Sequence, residues 1–407
     1  MNLQELTSNK NSGSSDLISF REQELKLFKQ QGLLLDPEDY KFTNLPKFFE
    51  ALPQTEVALP ESEISSKSDI TTFLFLDGVL QDFPKIEGVT ISPVSEKFEE
   101  VKELLVTKTP VNHLHHALLD HGLYLEVQKN FKVTGPIRIQ HIITKNAIKA
   151  PTLIIKMKAN SEMSLLEEFS GAYSSYAELS ESYIHLAAGA KLEHLQLNHG
   201  QDESLHHGST WSKVQKDASY TNFIFHLKGK LSRRNLDIKL LEPGSHGESF
   251  NLFLISEKEH SDINTVINHE APDTTSNQIA KGILGGESKG IFTGKIYIHP
   301  KSQRVASGQI NRNLLLSPKA QVHSQPQLEI FADDVKCSHG STTGQLSPEE
   351  IFYFESRGLP AEKARTLLAH GFGLEIVLKI KDYKLRAYLE KTVLEALKTK
   401  FKLGGTP

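Results

Sequence analysis

A cysteine and a nearby histidine are the residues of this chain best suited to metal chemistry. Cys337, the single cysteine, lies two residues before His339 in the segment Pro326–Leu346. Apolar and polar residues alternate through both halves of this segment, which predicts half-buried strands. On one strand, the thiol and the imidazole would point to the same side about 7 Å apart, and could share a soft or borderline metal. Taken alone, the spacing favours a small buried cysteine beside a hydrogen-bonded histidine.

The middle of the chain repeats one short pattern. Turn signals such as Pro243-Gly244 separate alternating apolar runs that start 13 to 16 residues apart, without intervening helices. Near-constant spacing of this kind predicts stacked strands, in either a solenoid or a sandwich. The runs begin at Phe223, Leu236, Phe250, Ile263, Ile279 and Phe292.

Helical signals flank this β region and divide the chain into three predicted parts. Residues 1–70 form a helical region with a polar, disordered start, a capping box at Ser19–Glu22 and a Pro/Ser/Glu-rich linker at 51–69. Residues 71–345 form the β core. Residues 346–407 form a helical domain that begins at Ser347; its last helix carries Leu385, Leu389, Val393 and Leu397 on one side.

A second group of histidines falls on a predicted helix that starts at Thr109-Pro110. His113, His115, His116 and His121 lie close together, but no carboxylate or thiolate stands at ligand spacing. We therefore expect these imidazoles to be solvated or to cap the helix.

Composition excludes several classes of protein. The 407 residues carry a net charge of −4, which argues against nucleic-acid binding, because that needs a basic surface. No apolar run approaches the ~18 residues of a membrane span, and the first residues lack an apolar signal. A single cysteine suits a reducing compartment, so we expect a cytoplasmic protein. P-loop, GxSxG, HExxH and CxxC motifs are absent, which favours a non-enzyme.

Long stretches of the chain resemble a known family. LEIFADDVKCSHGSTTGQLSPEEIFYFESRGLP (Leu328–Pro360), together with Gly286–Asn313 and Asn313–Ile330, is similar to the signature of the SufB/SufD family of iron–sulfur cluster assembly scaffold proteins. Cys337-Ser338-His339-Gly340 resembles the SufD branch. The resemblance implies a right-handed parallel β-helix core flanked by N-terminal and C-terminal helical regions.

The same resemblance implies partners and a site. It implies a non-catalytic scaffold subunit that pairs with a SufB-like paralogue through the β-helices and binds the ABC-type ATPase SufC through its C-terminal helices. His339 would then be a metal or cluster ligand at the SufB interface, with Cys337 a second ligand or a neighbour and Glu329 a weaker candidate. Clusters usually need four protein ligands, so with one thiol any cluster must take ligands from a partner, from several of the 18 histidines or from small molecules. The resemblance implies a transient iron–sulfur cluster or iron shared with SufB.

Two other functions remain open at this point. One is a homodimer that binds a metal by itself. The other is a carbohydrate-active enzyme, because β-helices often host enzymes that act on acidic sugars. Asp333-Asp334 could be taken for its carboxylate pair, but adjacent side chains on an extended chain diverge, and a secretion signal is missing.

Overall fold

Two parallel β-sheets form the body of the molecule. The computed structural model describes residues 13–50, 70–81, 84–119, 122–144, 148–171 and 175–401. Sheet A contains β1 (Thr71–Leu76), β2 (Val79–Leu80), β5 (Ile137–Ile143), β8 (Glu162–Gly171), β10 (Lys191–His199), β12 (Ser219–Lys228), β14 (His246–Ile255), β16 (Thr275–Leu284), β18 (Val305–Leu315) and β20 (Val335–Gly344). Sheet B contains β3 (Val89–Pro93), β4 (Gly122–Val127), β6 (Ile148–Lys149), β7 (Thr152–Met157), β9 (Ala177–Leu186), β11 (Leu205–Val214), β13 (Leu231–Leu240), β15 (His260–His269), β17 (Lys289–Ile298) and β19 (Gln321–Ile330).

Successive long strands alternate between the two sheets, so each coil of the chain supplies one strand to each sheet. Within a sheet the strands pair in parallel with the coil before and after, as in Phe250 opposite Ile279. The only antiparallel pairs among the named strands are β1 with β2 and β3 with β4. About seven such turns make a parallel β-solenoid, which confirms the predicted β-helix with helical flanks.

One corner of each coil is built by a residue with positive φ. Asn and Asp tolerate this left-handed conformation better than other non-glycine residues, and glycine adopts it freely. The corners are linked along the axis by backbone hydrogen bonds, for example from Asn160 N–H to Ala188 O (2.9 Å) and from Asp217 N–H to Pro243 O (3.2 Å). These corner residues recur every 27 to 31 positions, at Asn130, Asn160, Gly189, Asp217, Gly244, Asp273 and Arg304.

Both faces of sheet A are apolar near its middle. Phe253 and Ile255 of β14 pack in the lumen with Phe292 of β17. Their neighbours Leu252 and Leu254 belong to a different cluster, which includes the C-terminal helices. The alternating apolar residues that predicted β14 therefore lie on the outer face of the strand, where the C-terminal helices cover them.

The N-terminal helices cover the outer face of sheet B. They are α1 (Ser15–Gln31), α2 (Leu45–Glu50), α3 (Phe98–Val101) and α4 (Pro110–Ala117). Phe28, Leu45 and Phe49 pack on Leu179 and Leu205 of the sheet.

The predicted start of α1 at Ser19 is wrong, because the Ser14 hydroxyl accepts from Leu17 N–H and caps the helix one turn earlier. The end at Gly32 is confirmed. Of the predicted disordered start, residues 1–15, only the last three are described, and Ser15 already begins α1. Residues 1–12 and the predicted linker at 51–69 lie outside the described residues. The three domain boundaries stay predictions.

The last strand is followed by the helices α5 (Pro348–Glu355), α6 (Ala361–Val377) and α7 (Tyr383–Phe401). The helices α6 and α7 pack on the outer face of sheet A, and α5 packs on α6. Ser347 caps α5 as predicted, by accepting from Glu350 N–H. The predicted apolar side of α7 is confirmed, since its residues are all 0% exposed: Leu385, Leu389, Val393 and Leu397. No helix among the described residues has the length and apolar character needed to cross a membrane.

Glu193 and Lys281 of sheet A make two of the polar contacts that fix the C-terminal helices. The Glu193 carboxylate on β10 accepts hydrogen bonds from the backbone N–H groups of Lys381 and Asp382, just before α7. The Lys281 ammonium on β16 donates to Phe372 O on α6 (3.0 Å) and pairs with Glu375. These buried polar contacts set the register of the helices on an otherwise apolar surface.

Candidate functional site

The predicted site lies on the last coil, at the C-terminal end of the β-helix. β20 pairs with β18 and β19 pairs with β17, and each is the outermost strand of its sheet in the described part of the chain. Their opposite edges therefore carry unpaired backbone groups. In the register of β20, Cys337 lies beside Ser307 and His339 lies beside Gln309.

Cys337 and His339 face the inner side of this coil. Ser307 and Gln309, their neighbours in β18, are buried in the lumen, and parallel pairing keeps the same orientation from one strand to the next. The side chains of the last coil lack a further coil above them, so His339 is exposed and Cys337 is half-buried. The structure thus places both predicted residues on one side of one strand.

The thiol of Cys337 has an apolar setting. With Leu328 and Val335 it packs on a small core cluster that includes Ile296 and Val305. Burial raises the pKa of the thiol, and a hydrogen bond with the Ser307 backbone offsets only part of that effect. The protonated thiol is therefore favoured until a positive charge, such as a metal ion, comes close.

Glu329 does not join the pair. It stands opposite Tyr297 in the register of β19, on the outer face, whereas Leu328 packs inward. Its carboxylate forms an ion pair with Lys295 Nζ at 2.9 Å. The weaker candidate therefore points away from Cys337 and His339.

A row of polar side chains leads along the lumen to this end of the β-helix. Gln309 Nε2 donates to Gln278 Oε1 (3.0 Å), which also accepts from the Thr265 hydroxyl (2.9 Å). On the last coil, Ser341 Oγ donates to Ser324 Oγ (2.8 Å) and links β20 to β19. His339 continues the row beside Gln309 and is its solvent-exposed end.

The last coil offers at most two metal ligands of its own. Among the described residues, the one group of three His, Cys, Asp or Glu side chains close enough to share a metal lies elsewhere. An imidazole and a thiolate leave at least two positions of a tetrahedral metal unfilled. A metal at Cys337 and His339 would need further ligands from outside the described part of the chain.

That separate group contains two of the predicted helix histidines. His115 and His116 of α4 are 0% exposed and Glu181 of β9 is 3% exposed. Their ligand atoms lie within 4.8 Å of one another. The prediction of solvated or capping histidines is therefore wrong for these two. Glu181 is distant in sequence, so no spacing pattern could have revealed it; only the docking of α4 on β9 brings it close.

Carboxylates control the charge of this buried group. Burial alone would lower the pKa of His116, but the Glu181 and Glu24 carboxylates more than offset this and raise it to about 9. Burial would raise the pKa of Glu181, but the charges and hydrogen bonds of His115 and His116 lower it well below its usual range.

Sequence comparisons relate most of the chain to known proteins. The family described as SUF system FeS cluster assembly, SufBD core domain, matches residues 141–372. A SufBD family protein of Synechocystis is 26% identical over 95% of this chain and 90% of its own length. The iron-sulfur cluster assembly protein SufD of Escherichia coli is 25% identical over 86% of this chain and 85% of its own. A SufBD family protein of Mycobacterium leprae is 29% identical over 66% and 70%. With more than half of its length matched by the core domain, the chain belongs to the SufB/SufD family of iron–sulfur cluster assembly proteins.

Proposed function

We propose that this chain is a SufD-like, non-catalytic subunit of a cytoplasmic SUF assembly complex and pairs with a SufB-like paralogue through the last coil. The unpaired edges of β19 and β20 carry the proposal, because a free strand edge is a template for pairing with another chain. Ile330 and Phe331, at the end of β19, add exposed apolar surface beside this edge.

In the proposed interface, His339 is a ligand of iron or of a nascent iron–sulfur cluster. The imidazole is exposed, so a partner can approach it, and Cys337 lies on the same side of β20 as a second ligand or a neighbour. The SufB-like partner supplies the remaining ligands, since the last coil cannot complete a metal site by itself. The cluster is then a transient cargo shared by two chains.

The C-terminal helices are the proposed docking surface for a SufC-like ABC ATPase. One side of α6 and of α7 is buried on sheet A, while Phe352 and Tyr353 of α5 and Leu367 of α6 are at least half exposed. Large apolar side chains on the free side of a helical layer suit a protein partner. ATP hydrolysis belongs to that partner, because this sequence has no P-loop.

Co-expression tests the proposal. The tagged chain is produced with SufB-type and SufC-type proteins from the same source, purified without oxygen and analysed by native mass spectrometry. We expect one complex that contains all three. A monomer or homodimer that ignores both partners would contradict the scaffold role, and would favour the homodimeric metal-binding protein or the carbohydrate-active enzyme.

Substitution then tests the ligand. His339→Ala should leave the complex intact and abolish cluster formation, measured by visible absorption after anaerobic reconstitution. His246→Ala is the matched control, because His246 is also partly exposed on sheet A but lies on β14, away from the last coil. Normal cluster formation by the His339→Ala complex would exclude the ligand role.

A further inference from the structure

A buried cluster between α4 and β9, on the outside of the β-helix, has the composition of a metal site. It brings together His115 Nδ1, His116 Nε2 and Glu181 Oε2. The distances from Glu181 Oε2 are 3.0 Å to His115 Nδ1 and 3.1 Å to His116 Nε2. Two ligands of a tetrahedral zinc ion lie about 3.3 Å apart when the bonds are about 2.0–2.1 Å, so these separations are close to those of a filled site.

The contacts of His115 suit a cation placed between its ring and the Glu181 carboxylate. Its Nε2 lies 3.2 Å from both the Pro151 carbonyl oxygen and the Thr152 hydroxyl. A carbonyl only accepts and a hydroxyl can accept, so a proton on Nε2 satisfies both contacts. In the neutral ring, Nδ1 then carries a lone pair, and it lies 3.0 Å from Glu181 Oε2. Among the described residues, Glu181 is the one partner that this buried Nδ1 has. A cation between the two atoms would satisfy both.

His116 and Glu181 are each held in orientation by a contact to the atom that faces away from the cluster. His116 Nδ1 faces the Glu24 carboxylate of α1 at 3.5 Å, which leaves Nε2 directed at Glu181. The second carboxylate oxygen of Glu181 accepts from Asn112 Nδ2 at 2.7 Å. Metal-ligating histidines and carboxylates commonly have such outer partners, which fix the tautomer and the ring orientation.

Tyr183 supplies the atom nearest to a fourth position. Its hydroxyl donates to Glu181 Oε2 and lies 3.0 Å from His116 Nε2. Two imidazoles, one carboxylate and a hydroxyl form a nitrogen and oxygen set of borderline softness, which suits Zn²⁺ and similar divalent first-row ions better than Ca²⁺ or a cluster.

We propose that His115, His116 and Glu181, with Tyr183 in the fourth position, bind one divalent transition-metal ion with a structural role. The ion joins α4 to β9 and, through Glu24, steadies α1 on sheet B. The site is separate from the last coil and contains no sulfur.

Metal binding by the full-length chain tests this proposal. The purified protein is treated with a chelator and titrated with Zn²⁺ by calorimetry, and with Co²⁺ as a spectroscopic probe. We expect one tight equivalent of Zn²⁺, and a Co²⁺ spectrum with tetrahedral d–d bands but without thiolate charge transfer. Failure to bind Zn²⁺ would mean that protons alone balance the carboxylates, and would overturn the proposal.

Two variants locate the ion. Glu181→Gln keeps the shape and should weaken Zn²⁺ binding at least 100-fold, while Cys337→Ala/His339→Ala should bind as the wild type does. Loss of binding in the double variant, or unchanged binding in Glu181→Gln, would overturn the assignment. If Glu181→Gln fails to fold, the Co²⁺ spectrum of the folded double variant still decides, since binding without those two side chains is expected only from the buried site.

Discussion

Glu168 provides the sharpest test of how the C-terminal helices are held on the β-helix. Its fully buried carboxylate, on β8, forms ion pairs with Arg138 of β5 and with His199 of β10 (2.7 Å). Its Oε1 also accepts a hydrogen bond from the Tyr388 hydroxyl of α7 (2.8 Å). One charge therefore joins two neighbouring strands and the last helix.

The shifted pKa sets the size of the effect. Burial alone would raise the pKa of Glu168, but the hydrogen bond and charge of His199 and the charge of Arg138 lower it from 4.5 to about 2. At 1.36 kcal/mol per pH unit, this difference stabilises the folded protein by about 3 kcal/mol at neutral pH. Because the folded-state pKa is depressed, the contribution is complete above pH 4.5 and disappears as the pH falls towards 2.

Glu168→Gln removes the charge with little change of shape, so it should lower the free energy of unfolding by about 3 kcal/mol at pH 7. Urea titrations followed by circular dichroism measure the difference, which should shrink as the pH falls from 4.5 towards 2. Glu395→Gln is the control, because Glu395 is exposed on α7 and its ion pair with Lys391 spans 3.9 Å. Equal stability of Glu168→Gln and wild type at pH 7, or a difference independent of pH, would refute the reasoning.

Four further predictions concern packing, capping and thiol reactivity. Leu389→Ala should lower the free energy of unfolding by about 2–5 kcal/mol, because this side chain of α7 is fully buried between the helix and sheet A; a smaller loss in urea titration would contradict that packing. Gly282→Ala should cost about 1–3 kcal/mol in the same assay, since a Cβ would stand 2.3 Å from the Phe253 ring; wild-type stability would mean that the ring moves freely. Ser347→Ala should cost about 0.5–2 kcal/mol and increase proteolysis at α5, through loss of the cap; unchanged digestion would contradict this. Iodoacetamide should modify Cys337 more slowly in the folded protein than in urea, because burial raises the thiol pKa; equal rates by mass spectrometry would show a freely exposed thiol.

The stacked strands were predictable because each coil repeats the same local pattern, whereas the choice of a β-helix came from the family resemblance. Alternating runs such as the one at Phe250 mark the strands, and Asp217 and Asp273 mark corners that need positive φ. That corner repeat is visible in the sequence, yet strand spacing alone left a sandwich open. The outer faces could not be assigned, since Leu252 and Phe253 are equally apolar and only the docked helices distinguish them.

Only the part of the site that is formed by residues close in the sequence was predictable. Cys337 and His339 lie two residues apart on one strand, so period-two geometry sufficed to place them together. Glu329 was a wrong candidate, because the same alternation puts it on the outer face of β19. The cluster of His115, His116 and Glu181 depends on the packing of a helix on a distant strand, which no local pattern encodes.

Because the chain is synthesised from its N-terminus, helices cover the outer faces of the two sheets at different times. The N-terminal helices that cover sheet B are made before its central strands, so that face can be covered as each coil is added. The outer face of sheet A, with Phe250, Leu252 and Ile283, stays bare until α6 and α7 have been synthesised. Transiently exposed apolar surface promotes aggregation. A nascent chain that stalls before α6 would therefore depend on chaperones, although its coils can already stack.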